Sequence, residues 1–301
     1  PELLHSAVKM WRVLAIALLQ GLWAQGASTP VLSSPQQVRD HWAFKPLKRP
    51  TVPSLNNAKW PRMPLDKFVL ARLEARGWES SPRADKRTRI RRAYWNLTGL
   101  APTHVQVQAF VADKSPDAWP RLVDSLLASP RYGERWARHW LDVARYADNK
   151  GYVGVGVDRR YPYSYTYRDY VIRAFNEDLP YNRFIIEQLA ADHLELGDDK
   201  RPLAALGFLT LGRRFLNRED DIIDDRIDVV TRGFMGLTVT CARCHDHKYD
   251  PVPTADYYSL HGVFASSKEP GVLPLIGQAA QPMEHAAFIK EKELKERGIS
   301  K

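Results

Sequence analysis

Cysteine is almost absent: there are two in 301 residues, and both fall within the stretch Cys241, Ala242, Arg243, Cys244, His245. So few cannot build a disulfide scaffold, so this pair is there for chemistry. Long apolar runs are missing too. The longest, residues 13–22, stops short of the roughly 20 apolar residues a membrane-spanning helix needs. Acidic residues are in deficit, 35 against 44 basic, for a formal charge of +9. Charged residues still total 26%, so the basicity is an excess spread among both signs, with a mild preference for an acidic partner or surface. What is plentiful is core material. A composition 44% hydrophobic and 11% aromatic excludes disordered, collagen-like and low-complexity chains and supports one large domain or two small ones.

The first segment reads as an address. Lys9 and Arg12 give a basic start, the apolar run follows, and small residues Ala24, Gly26 and Ala27 close it, which is the pattern of a secretory signal peptide over residues 1–27. Residues 1–9 precede the first methionine, Met10, and read as a start called too early. Export, periplasmic or extracellular, is the expected location, and it removes the case for nucleic acid as a partner.

Residues 28–63 carry Pro30, Pro35, Pro46, Pro50, Pro53 and Pro61, so an extended arm is expected there. Helical spacing dominates from residue 64 onward. Leu65, Phe68, Val69 and Leu73 run to Gly77, and Ile90, Tyr94 and Leu97 run to Gly99. Thr103 with Gln106 forms a capping box ahead of Val107 and Phe110. Trp136, Trp140 and Leu141, then Tyr167, Tyr170 and Val171, then Ile223, Ile227 and Val230 continue the pattern. Only the alternation Tyr161, Tyr163, Tyr165 suggests a strand. The expected class is all-α: a single multi-helix domain over residues 64–265, with a peripheral tail over residues 266–301.

Cys-x-x-Cys-His is the attachment signature of c-type haem, in which two thiols form thioethers with the vinyl groups and the adjacent imidazole binds iron. Cys241 and Cys244 are therefore the expected anchors of covalent haem c, and His245 the iron ligand. Two other readings stay open. One is a redox dithiol or plain disulfide; the other is a zinc site drawing on Cys241, Cys244, His245 and His247. A ligand opposite His245 has candidates in His41, His104, His139, His193, His261, Met63, Met235 and Met283. His139, framed by Trp136 and Trp140, is the first choice because an apolar wall favours a neutral ligand, and His41 beside Trp42 is the second. His245 itself is expected to face an apolar pocket.

Two charge clusters invite attention. Arg83, Lys86, Arg87, Arg89, Arg91 and Arg92 fit a solvated helix face, with an acidic polymer or a haem propionate as the alternative. Asp220, Asp221, Asp224, Asp225 and Asp228 lack the glycine and terminal glutamate of a calcium loop and fit an exposed acidic face.

Several blocks resemble a known family. They include His41-Trp42-Ala43-Phe44, Trp60-Pro61-Arg62, Leu97-Thr98-Gly99-Leu100, the run from Tyr132-Gly133-Glu134-Arg135-Trp136 to His139-Trp140-Leu141-Asp142, Arg145-Tyr146-Ala147-Asp148, and Cys244-His245-Asp246-His247-Lys248-Tyr249-Asp250-Pro251. Together they resemble, over about residues 41–265, the planctomycete cytochrome-like modules catalogued as domain of unknown function 1549. The resemblance implies an exported, haem-associated redox role, with His41, His139 and His247 in family-like blocks and Met235 and His261 outside them. It also implies neighbours elsewhere in such proteins, a cytochrome domain upstream and a large domain downstream.

The expected function is an exported c-type haem protein in electron transfer or oxidation of an extracellular substrate, served by a redox partner protein or a downstream domain. The alternative is a non-redox binding or scaffold module for polysaccharide, its Cys/His cluster holding zinc or a disulfide.

Overall fold

The computed structural model describes residues 40–56, 59–151, 153–156, 158–277 and 282–299. The signal-peptide reading and the first part of the arm lie outside them. Eleven α-helices carry the described chain: α1 Pro64–Glu74, α2 Lys86–Leu97, α3 His104–Ala112, α4 Ala118–Leu127, α5 Pro130–Val143, α6 Ser164–Asn176, α7 Tyr181–Ala190, the single turn α8 Gly207–Thr210, α9 Glu219–Val230, α10 Thr254–Ala265 and α11 Pro282–Ile299. The class is all-α. Among the described residues the sole β-type pairing is one bridge between Asn149 and Arg160. The tyrosine alternation starts α6 instead of a strand, because Tyr167, Tyr170, Val171 and Ala174 take over with helical spacing and bury one face. The described part of the arm has one 3₁₀ turn, Trp42–Phe44, and is tied to α1 where the Asn56 amide donates to Glu74 (3.1 Å).

Helix ends follow the local chemistry. Thr103 and Gln106 cap α3 reciprocally, Asp85 caps α2 through the Thr88 amide, and Ser129 with Pro130 opens α5. Gly77 and Gly99 end their segments at φ +68° and +70°, the left-handed conformation that favours glycine.

Three apolar clusters make the core. Ile90, Phe110 and Ala118 join α2, α3 and α4. The largest joins α5, α6, α7 and α8 through Ala137, Tyr167, Tyr170, Val171, Phe184 and Phe208, with Trp140 packed beside them. Its polar groups are satisfied internally: the Trp140 indole and the Tyr167 hydroxyl both donate to Gln188 Oε1 (2.7 Å each), and the Tyr170 hydroxyl donates to Glu187 (3.0 Å). Gly133 lets α5 and α6 touch. A Cβ there would lie 2.4 Å from the Ile172 carbonyl oxygen, and its amide donates to Asn176 (2.8 Å). The third cluster, Ile223, Ile227, Val239, Ala242 and Tyr257, packs α9 and α10 against the cysteine segment.

Asp220 is exposed as expected, but the other four aspartates of α9 are not the exposed face their spacing suggests. Asp225 pairs with Arg145, Asp221 and Asp224 with Arg243, Asp228 with Arg232 and Asp220 with His261. Asp221, Asp224 and Asp225 thus meet guanidinium groups from segments far apart in the chain, a pattern periodicity alone cannot show, while Asp228 pairs within one helical turn.

The tail boundary also moves. Glu269, expected in a peripheral tail, accepts two hydrogen bonds from Arg214 (2.9 and 2.8 Å) and pairs with Arg226 of α9. Arg214 also donates to the Tyr161 hydroxyl, whose own proton goes to the Gly212 carbonyl (2.7 Å each). The body therefore reaches residue 269. The ion pairs within α11, Lys295 with Glu291 and Arg297 with Glu293, are internal to that helix.

Candidate functional site

α9 ends in a π turn, Thr231–Met235, and Gly236 (φ +68°) then redirects the chain into a 3₁₀ turn, Val239–Arg243. In a 3₁₀ turn residues three apart eclipse one another, and that sorts the motif into faces. Val239 and Ala242 point into the third core cluster. Thr240 and Arg243 form a second face, and the Arg243 guanidinium reaches α9 to bond Asp221 (3.0 Å) with Asp224 at 3.6 Å. The Asp221 hydrogen bond, ahead of the opposing effect of burial, raises the Arg243 pKa. Cys241 falls on the remaining face and Cys244 follows as the residue that caps the turn, both exposed and both free thiols.

The residues after the turn are held from α10. The Tyr258 hydroxyl donates to the Arg243 carbonyl (3.2 Å), and the Tyr257 hydroxyl donates to Asp224 (2.7 Å). Burial, then the bond to that carboxylate, pushes the Tyr257 phenol well above its ordinary pKa. Asp246 accepts the Thr254 amide at the start of α10 (2.9 Å). The His247 side chain is 6% exposed. Its Nδ1 accepts from the amides of Tyr249 (3.2 Å) and Asp250 (2.8 Å), so its proton sits on Nε2, facing the Thr238 hydroxyl at 3.2 Å. His247 is a frame for the loop.

His245 is arranged differently. Its Nδ1 lies 2.8 Å from the Asp246 carbonyl oxygen. A carbonyl only accepts, so Nδ1 carries a proton, and in the neutral imidazole Nε2 is the nitrogen with the free lone pair. No described group bonds that Nε2. His245 is exposed, not set in the apolar pocket expected for it, because the inward positions of this segment are taken by Val239 and Ala242.

The remaining candidates are scattered. His139 lies exposed on α5 with its ring 5.5 Å from Trp136, itself an exposed residue, so the two do not form the expected apolar wall. Trp140, the other expected member, points the opposite way into the core. No described hydrogen bond, ion pair or ring contact joins His139 to residues 239–250. His41 sits in the arm beside Trp42, His104 beside Gln108 and His193 beside Asp192. Met63, Met235 and Met283 are all exposed. His261, outside the family-like blocks, is the one connected to the motif, its ring 6.0 Å from Tyr258. Among the described residues no three His, Cys, Asp or Glu side chains gather as a metal would require. The zinc reading in particular lacks His247, whose nitrogens are both engaged.

The sequence reading missed Arg243, Asp221, Asp224, Asp246 and Tyr258, which hold the motif in place. The only signal was the i, i+3 and i, i+4 repeat of aspartates on α9, which gives no hint of partners 20 residues away.

This arrangement runs through the C-terminal part of a longer match: the family model PSCyt2, described as a protein of unknown function (DUF1549), covers residues 64–269. The chain belongs to the PSCyt2 family. The match ends at Glu269, the residue that ties the last described loop to α9, so the extent of the PSCyt2 module and the extent of the packed body coincide at that end. At the other end both begin with α1. No curated protein and no solved structure shows a significant match.

The donor set suits haem. Two free, exposed thiols lie three residues apart, one in the turn and one at its C-cap, and the next residue offers an imidazole whose Nδ1 is held by a carbonyl. Cys241 and Cys244 would hold the group and His245 would bind its iron.

Proposed function

We propose that this chain is an exported c-type haem protein of the planctomycete cytochrome-like kind, serving electron transfer or oxidation of an extracellular substrate. The observation that carries the reading is the His245 tautomer. A carbonyl on Nδ1 fixes the ring orientation and raises the basicity of Nε2, which is how proteins prepare a histidine for a metal. When bound, haem supplies a one-electron couple.

The chain's own residues do the rest. Arg243, clamped by Asp221, Asp224 and Tyr258, keeps the 3₁₀ turn from unwinding, so the segment that carries both thiols keeps its shape. Asp246 positions its carbonyl for His245 while its carboxylate caps α10. Among the described residues no helix is long and apolar enough to cross a membrane. The exposure of the thiols favours a site completed by a second surface, a redox partner or another domain. No described contact joins His139 to residues 239–250, so the reading rests on Cys241, Cys244 and His245 without it.

The test is expression of the full chain with haem-maturation machinery in an exporting host. The expected result is haem that stays on the denatured polypeptide and is abolished by Cys241→Ala with Cys244→Ala. Haem that leaves on denaturation of the wild type, or none at all, overturns the reading.

A further inference from the structure

The tyrosines that lead into α6 are tied to a loop rich in unpaired cations. Beside the bridge between Asn149 and Arg160, the Tyr161 amide donates to the Asp148 carbonyl (2.8 Å) and the Lys150 amide to the Arg159 carbonyl (2.7 Å). Lys150 and Arg159 therefore stand directly opposite one another. The Lys150 carbonyl in turn accepts the Arg214 amide (3.1 Å), and the stem of Arg213 lies against Gly151, where a Cβ would meet its Cγ at 3.4 Å. Backbone bonds thus gather Lys150, Arg159, Arg160, Arg213 and Arg214 from two distant segments.

Carboxylates do not balance them. Asp158 is taken by Arg160 (3.1 and 3.0 Å), Glu269 by Arg214 and Arg226, and Asp148 by the hydroxyls of Tyr146 and Ser164. The Lys150 ammonium meets only the Asp158 carbonyl (3.1 Å) and the Tyr161 ring, 5.7 Å away. Arg159 and Arg213 are exposed, and among the described residues no acceptor or ring meets either guanidinium. Like charges directly opposite across a bridge are unfavourable. The chain after them is strained as well: Phe215, Leu216 and Asn217 lie at φ +43°, +58° and +64°, successive residues in the left-handed region that favours glycine, and the Asn217 amide closes back on the Arg214 carbonyl (2.6 Å).

We propose that Lys150, Arg159 and Arg213, with Tyr161 and Tyr163 beside them, form a binding surface for an acidic polysaccharide, a chain of sugars carrying carboxylates or sulfates. A fold that holds like charges together without carboxylates leaves their compensation to a ligand, and these guanidinium groups are open to one. The cations stand on separate segments at the surface, which suits a polymer touched at several points better than one small anion. Each guanidinium offers a planar fork to an oxyanion. Tyr163, 57% exposed, follows two residues after Tyr161, which the backbone bond to Asp148 holds in place. A tyrosine ring presents an apolar face and a polar tip, matching the C–H face and hydroxyls of a sugar. A membrane surface fits less well. The large apolar side chain exposed on the described part of this loop, Val155 between Gly154 and Gly156, lacks the bulk of the Trp, Phe or Leu that anchor an interfacial segment. No described hydrogen bond, ion pair or ring contact joins this surface to residues 239–250, so it does not depend on haem.

The experiment is calorimetric titration of the full chain with polygalacturonate, dextran sulfate, uncharged dextran and phosphatidylserine vesicles. Saturable binding of a charged polymer is expected, with none of dextran, and the tighter of the two polyanions names the anionic group. Arg159→Gln with Arg213→Gln should weaken it at least ten-fold, and Tyr163→Ala at least three-fold. Arg91→Gln with Arg92→Gln, which removes the same charge from exposed positions of α2, should stay within two-fold of wild type. No saturable binding of either polyanion overturns the proposal. So does an equal loss in the α2 pair, which would mean diffuse attraction, or dextran binding as tightly as the polyanions. Tyr163→Ala binding like wild type, or vesicles binding more tightly than both polymers, overturns the assignment to a sugar chain. If loss of the Arg213 stem against Gly151 unfolds the double variant, Arg159→Gln alone decides the matter.

Discussion

Removing the Glu269 carboxylate should destabilise the whole body, although the residue lies on a loop beyond the last core helix. Glu269 stands between two arginines whose side chains are 18% and 10% exposed, Arg214 and Arg226, and Arg226 Nε already lacks an acceptor. Breaking a buried pair by deleting one partner typically costs about 3–5 kcal/mol, because the surviving charge stays buried. Glu269 itself is 37% exposed, so water reaches that side and the cost falls to roughly 2–3 kcal/mol for Glu269→Ala. At about 2–4 °C per kcal/mol for a domain of this size, Tm should drop by roughly 5–10 °C. Glu269→Gln keeps an acceptor for one guanidinium and should lose about half as much. Truncation after Ser267 should match the alanine variant, whereas truncation after residue 281, which keeps Glu269 and removes α11, should leave Tm within about 1 °C. Calorimetric or dichroism melts of the four proteins check this. If truncation after Ser267 melts with wild type, the arginines are relaxing into water and the reasoning fails.

Gly133→Ala should cost about 1–3 kcal/mol or more, because its Cβ meets backbone at 2.4 Å where no side chain can swing away; urea denaturation would read the loss, and an unchanged midpoint would contradict the α5–α6 contact. The Asp148 carboxyl is held below the usual carboxylate range by hydrogen bonds from the Ser164 and Tyr146 hydroxyls (2.6 Å each). A depressed folded-state pKa means stability that is present above about pH 4 and lost as pH falls toward the folded value. Asp148→Asn should flatten the acid limb of a Tm-against-pH curve below about pH 4, and a limb of unchanged steepness would remove Asp148 from the account. Arg243→Gln should free residues 239–245 from α9 while sparing the main cluster. The expected sign is faster amide exchange confined to that segment at a Tm within a few degrees of wild type, and unchanged exchange would show the clamp to be dispensable.

What the sequence disclosed followed the range of the interaction. Helices α1, α2, α3, α5, α6 and α9 came through in their apolar spacing, and the Thr103 and Gln106 box appears bond for bond, because caps and amphipathic faces are decided within one or two turns. The cysteine motif was equally visible as a local pattern. Its fold was not: the π turn and the 3₁₀ turn depend on what Val239 and Ala242 pack against, and that is supplied by α9 and α10. The pairing of Asp221, Asp224 and Asp225 escapes the sequence for the same reason, since their guanidinium partners come from residues 145 and 243. His139 was chosen for its tryptophan neighbours, but adjacent helical positions face different ways, and only Trp140 points inward.

The three-sided 3₁₀ turn separates two kinds of damage. Because the packing residues and the thiols occupy different sides, a reagent can reach Cys241 and Cys244 without any opening of the body. Alkylation of the folded chain should therefore run at the speed of an unhindered thiol and be insensitive to denaturant well below the unfolding midpoint. The same separation leaves these two positions open to substitution at little structural cost, while a change at Ala242, one residue away and wholly buried, would press on α9.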